Sequence, residues 1–147
     1  MRFKTRLGRI GASLTVMLSG IAGLSLATAP AASAAGYGCN GSLVYSAPVY
    51  GVDDYSSTVV AQLYGYWDGT YNCEVAVKKV FVGTSTKMTL TIWSNNGSDV
   101  DSGYFSQYAG PVKVNGTGSC IWEEVDMWNS SGRNIAQAYN YGKHNCG

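Results

Sequence analysis

The sequence predicts an all-β domain, an antiparallel sandwich or small barrel of about seven or eight short strands held by two disulfides. Three observations carry this. Apolar and polar residues alternate with period two over most of the chain, Gly- and Asn-containing turn pairs recur at short intervals, and Cys39, Cys73, Cys120 and Cys146 make an even cysteine set. No amphipathic helical run interrupts the pattern, and Tyr, Val, Thr and Trp, all suited to strands, are frequent.

The first 34 residues stand apart. Arg2, Lys4, Arg6 and Arg9 precede an uncharged run from Ile10 to Ala35 that contains Ala32-Ser33-Ala34, a small-x-small triplet of the cleavage kind. Residues 1–34 therefore read as a secretory signal peptide and residues 35–147 as a single β domain. Gly20, Gly23, Ser25 and Pro30 dilute the uncharged run too much for a permanent anchor, so no membrane partner is expected after cleavage. Cleavage leaves six basic against nine acidic side chains, a net charge of −3. The basic residues are scattered, which excludes the cationic footprint that nucleic acid demands.

An even cysteine count in an exported chain reads as disulfides, and the absence of a CxxC pair argues against a four-thiolate zinc site. Three pairings are possible. Cys39 with Cys73 and Cys120 with Cys146 is favoured because each closes a loop within one half of the domain.

The first strand, Ser42 to Tyr50, contains Pro48, which cannot donate to a ladder and so marks an edge or a bulge. Gly51 to Ser57 reads as a polar loop. From Thr58 to Trp67 the chain alternates, Asp68-Gly69 supplies a hairpin turn, and a return strand runs from Thr70 to Val82 with Cys73, Val75 and Val77 opposed to Glu74, Ala76 and Lys78. Met88 to Trp93 alternates again and ends at Asn95-Asn96-Gly97, another hairpin signal. Asp99-Val100-Asp101 lacks the further oxygen ligands of a calcium loop and reads as an exposed turn. Ser102 to Ala109 is expected as one aromatic strand that Gly110-Pro111 breaks or bulges. A strand from Ser119 to Asn129 places Ile121, Glu123, Val125 and Met127 on one face and Cys120, Trp122, Glu124, Asp126 and Trp128 on the other. Arg133 to Tyr141 forms the last strand, followed by a tail pinned by Cys146.

Four patches resemble a known family: Gly38-Cys39-Asn40-Gly41-Ser42-Leu43-Val44, then Gly103 to Val112, then Gly118-Ser119-Cys120-Ile121, and finally His144-Asn145-Cys146-Gly147. Together they are similar to the small secreted spore-associated proteins of filamentous, spore-forming actinobacteria, while Asp53 to Asp101 matches only in strand rhythm. The resemblance implies a place at the cell wall, spore surface or medium, cysteines that crosslink, and no catalytic residues to carry over.

Chemistry-bearing residues are few. His144 is the sole histidine, and its place in a terminal tail two residues from Cys146 argues for a satisfied or exposed side chain rather than a general base. Glu124 and Asp126 share a strand face about 7 Å apart, between Trp122 and Trp128, an arrangement open to a small glycoside hydrolase or a carbohydrate-binding module. The fifteen Tyr and Trp residues, in a sequence poor in charge, favour contact surfaces for an extracellular protein or a cell-wall glycan. A secreted protease inhibitor is a further alternative, although no loop braced by a disulfide stands out. No cofactor or metal motif is present. The reading is a secreted, non-enzymatic surface protein whose candidate ligand surface is Trp122, Glu124, Asp126 and Trp128.

Overall fold

A computed structural model describes residues 36–146, without the side chains of residues 139–142. The segment expected to be a signal peptide, and the facing expected for residues 139–141, lie outside what it describes. Eight strands follow in order: β1 Ser42–Tyr50, β2 Val59–Trp67, β3 Tyr71–Lys78, β4 Thr86–Ser94, β5 Gly97–Phe105, β6 Tyr108–Asn115, β7 Ile121–Trp128 and β8 Asn134–His144. They form two antiparallel four-stranded sheets, sheet A in the order β1-β2-β3-β6 and sheet B in the order β5-β4-β7-β8. A two-sheet sandwich is thus the form that the predicted all-β class takes. Both favoured disulfides are present, Cys39–Cys73 and Cys120–Cys146.

The first disulfide sits on the outer face of sheet A. Cys39, Cys73, Tyr66 and Val75 form a small buried cluster there, with Tyr64 and Val77 against it. Alternation then sends the other row of β3 inward, where Leu63 lies opposite Ala76, Gly65 opposite Glu74 and Ala61 opposite Lys78. That inner row is polar as well as apolar. Lys78 is 2% exposed, and its ammonium donates to Thr84 O (2.7 Å), Thr86 Oγ1 (2.8 Å) and Phe105 O (3.1 Å). Burial lowers its pKa. Three acceptors match the three protons of an ammonium, so one side chain ties β3 to the start of β4 and the end of β5.

The β2–β3 hairpin forms where Asp68-Gly69 predicts it. The Asp68 carboxylate accepts from the amides of Thr70 (2.9 Å) and Tyr71 (2.7 Å), and Gly69 takes the positive φ of +101° that the turn requires. Pro48 marks an edge as expected, since β1 is the outermost strand of sheet A. The loop before β2 is more ordered than expected, with a 3-10 turn at Asp53–Tyr55.

The central aromatic segment departs from expectation. Ser102 to Ala109 is not one strand, because β5 already begins at Gly97, directly after a two-residue loop, and the chain bends at Ser106-Gln107 to enter the other sheet as β6. Asp99 and Asp101 are strand residues, not an exposed turn. Their place in β5 has a physical reason. The Asp101 carboxylate accepts the Gly110 amide at 2.7 Å and the Asp99 carboxylate accepts the Lys113 amide at 2.8 Å, so two side chains of β5 satisfy amides of β6 that have no ladder partner on that side. Sheet A and sheet B are joined along this edge by carboxylates instead of by strand pairing. The last strand also differs, since β8 continues to His144 instead of stopping at Tyr141.

Between the sheets lie Val49, Leu63, Ala76, Met88, Leu90, Ile92, Ala109, Val112, Val114, Ile121, Val125, Met127 and Ile135, all buried. Each of the largest contributes about 1.5–3 kcal/mol by leaving water. The disulfides, closing separations of 34 and 26 residues, each add about 3.5 kcal/mol on the chain-entropy account.

Two outcomes follow for stability. Asp101→Ala should lower the unfolding free energy by about 1–3 kcal/mol by leaving the Gly110 amide unpaired. Asp54→Ala, which breaks only the exposed Asp54–Arg133 ion pair, should cost about 0–1 kcal/mol. Urea denaturation of both variants checks the ordering. The amides of Tyr71 and Thr70 hold the Asp68 carboxyl below its usual pKa. The stabilisation is therefore present above the unfolded value of about 3.9 and is lost as pH falls through the lower folded value. The stability difference between the parent and Asp68→Asn should accordingly shrink as unfolding is measured from pH 6 down to pH 2.

Candidate functional site

β7 presents a different group of side chains on each of its two faces. On the outer face stand the four residues expected to form a surface, Trp122, Glu124, Asp126 and Trp128, all partly buried by their neighbours. Strand pairing sets Trp93 of β4 opposite Trp122, Thr91 opposite Glu124 and Thr89 opposite Asp126, with Gln137 of β8 flanking Asp126 on the other side. The Lys87 ammonium lies 4.5 Å over the Trp128 ring and the Lys143 ammonium 5.4 Å over the Trp122 ring. Burial, then the neighbouring Glu124 carboxylate, raises the pKa of Asp126, while Lys87 opposes the shift. A depression of about 230 Å³ adjoins this face, with Lys87, Tyr104, Trp128 and Asn129 in its lining. The result is an aromatic band with two acids in the middle and a lysine over each outer tryptophan ring.

On the inner face the structure assembles a group the sequence did not announce. Glu123 points between Ile121 and Val125 into the core and is 2% exposed. Across the sheet gap is Glu74, at 0%, from the inner row of β3. His144 completes the group from the end of β8, where it lies opposite Ile121. Its Nε2 is 2.6 Å from Glu123 Oε2, and its ring stacks on Tyr45 of β1 with centroids 3.9 Å apart. One ligand atom from each of Glu74, Glu123 and His144 lies within 4.8 Å of the other two. Neither carboxyl oxygen of Glu74 has a hydrogen-bond partner among the described residues. Burial, with Glu123 as the second cause, pushes the Glu74 carboxyl well above the ordinary range.

Gly65 makes the room. A Cβ at that position would stand 3.1 Å from Tyr45 Cβ and 3.3 Å from Glu74 Oε1, inside ordinary contact distance for both. A cavity of about 250 Å³ adjoins the group, lined by Tyr45, Ala47, Val49, Leu63, Glu123 and Ala138. It lies between the inner face at β1 and that at β7 and β8. The inward facing of Glu123 was legible from alternation, but its meeting with Glu74 depends on how the sheets stack. The expectation of a terminal-tail histidine fails because β8 runs three residues further and pairs with β7.

Comparison with known proteins relates the chain to one of them by sequence. No family model matches the chain, and no solved structure matches it. The sequence is 35% identical over 150 aligned residues to "Spore-associated protein A" of Streptomyces coelicolor (strain ATCC BAA-471 / A3(2) / M145), across 94% of this chain and 88% of that protein. With that identity over nearly its whole length, the chain belongs to the spore-associated protein A family.

Proposed function

We propose that this protein is exported and acts at the spore or cell surface without catalysis, by contact between the outer face of sheet B and an extracellular protein or cell-wall partner. The observation that carries the reading is the band of Trp93, Trp122 and Trp128 enclosing Glu124 and Asp126. Half-buried tryptophans on a rigid sheet offer contact area at little cost in conformational entropy, and the acids between them supply directional bonds. The relative's name supports the spore-surface setting, and two disulfides suit an oxidising exterior. The lysines favour one class of partner over another. Stacking of a sugar needs free ring faces, whereas Lys87 and Lys143 already lie over Trp128 and Trp122. A mixed-charge partner that meets both lysines and acids fits better than a neutral saccharide or a glycoside substrate.

The test is retention of the purified protein on spores and on isolated cell walls of a filamentous actinobacterium, with crosslinking to capture protein partners. The parent should be retained, and Trp122→Ala combined with Trp128→Ala should weaken retention about tenfold or more while circular dichroism stays unchanged. Equal retention of the double variant, or retention abolished by neutral soluble oligosaccharides, would overturn the reading.

A further inference from the structure

We propose that Glu74, Glu123 and His144 form a buried site for a divalent cation of the zinc class, open to the cavity beside β1. The cysteines, which the sequence weighed as zinc ligands, play no part in it.

The donor set is suited to such an ion. An imidazole nitrogen with two carboxylates is a ligand combination that zinc accepts, and three protein ligands with a fourth position left open is the arrangement of accessible zinc centres. Calcium and magnesium are poorer matches, since they take six or more oxygen ligands. A tetrahedral ion bound at about 2.0–2.1 Å sets its ligand atoms about 3.3 Å apart. The three ligand atoms already lie within 4.8 Å of one another, so small side-chain rotations suffice.

The group is more than a chance meeting of acids. Glu74 is fully buried, both of its oxygens lack a hydrogen-bond partner among the described residues, and they lie beside the His144–Glu123 pair. A carboxyl placed there without a partner carries the full cost of desolvation, whether charged or neutral. A divalent cation balances two carboxylates and gives the Glu74 oxygens a ligand. Gly65 keeps open the volume that the Glu74 carboxyl occupies, and the cavity lined by Tyr45 and Glu123 provides space for a water in the open position. The rival arrangement is a proton shared within the cluster and no metal.

Isothermal titration calorimetry with zinc chloride, on full-length protein with its disulfides intact and stripped by chelator, separates the two. The expected result is one zinc per chain, with the dissociation constant about tenfold or more higher in Glu74→Gln and in His144→Gln. Asp53→Asn, at an exposed position, should bind as the parent does. Thermal melts provide a second readout, because zinc should raise the midpoint of the parent and leave that of Glu74→Gln where it is. If Glu74→Gln fails to fold, His144→Gln carries both comparisons. Absence of stoichiometric uptake, or uptake and melting shifts equal in the parent and the ligand variants, would overturn the proposal in favour of the shared proton.

Discussion

Cys73 can point to only one side of β3, and the partner it must reach, Cys39, lies on the outer face of sheet A. Much of the interior depends on that constraint. A strand cannot choose sides residue by residue, so once Cys73, Val75 and Val77 face outward, Glu74, Ala76 and Lys78 face the other sheet. On hydrophobicity alone the opposite facing would win, since valines would then fill the core. The crosslink, with the Tyr66 and Val75 cluster around it, holds the chain to the other choice. Two ionisable side chains come into the core as a consequence. Lys78 is fully used there, with three acceptors for three protons, and acts as a clamp between the sheets. Among the described residues Glu74 has no hydrogen-bond partner for either oxygen. The contrast between the two is what makes Glu74 informative: the fold satisfies one buried ionisable group completely and aims the other at Glu123 and His144.

The two lateral edges of the sandwich are handled differently. At β5 and β6 the carboxylates of Asp99 and Asp101 take the place of ladder acceptors, so the sheets are joined by charge-assisted hydrogen bonds. At β1 and β8 the stacked rings of Tyr45 and His144 bridge the sheets, and a cavity remains beside them. The closed side therefore contributes mainly to cohesion. The more open side is where small species can enter between the sheets, and it is also where the ionisable cluster lies.

Local periodicity was enough to read most of the strands. β1, β2, β4 and β7 fall where alternation puts them, and Asp68-Gly69 turns where it should, because these signals are properties of a few consecutive residues. The failures share a cause. Asp99 and Asp101 look like a turn until Gly110 and Lys113 are seen beside them, and Ser102 to Ala109 looks continuous until those bonds show that β5 and β6 belong to different sheets. His144 looks like part of a tail until Ile121 pairs with it. Each depends on a contact distant in sequence. The outer surface of β7 was legible for the converse reason, that one strand carries all four of its residues, whereas the inner cluster draws one residue from each of three strands.

The second disulfide changes the meaning of the histidine. Nearness to Cys146 counts against His144 if the C-terminus is a loose tail, since a mobile side chain is poorly positioned for chemistry. In the folded chain the same nearness positions it. Cys120 immediately precedes Ile121, Ile121 pairs with His144, and Cys146 follows two residues later, so the crosslink closes a short frame around the histidine. Tyr45 then sets the plane of the ring from β1 and Glu123 sets its Nε2. An edge strand would ordinarily fray at this point, and a histidine on it would sample many positions. Here the frame holds the imidazole against two buried acids, while two positions before Cys146 is the same spacing that made it look expendable in the sequence. A disulfide whose evident role is stability thus also preorganises the one imidazole of the chain, and β7, through Glu123 inside and Glu124 outside, is the strand on which the buried cluster and the exposed surface meet.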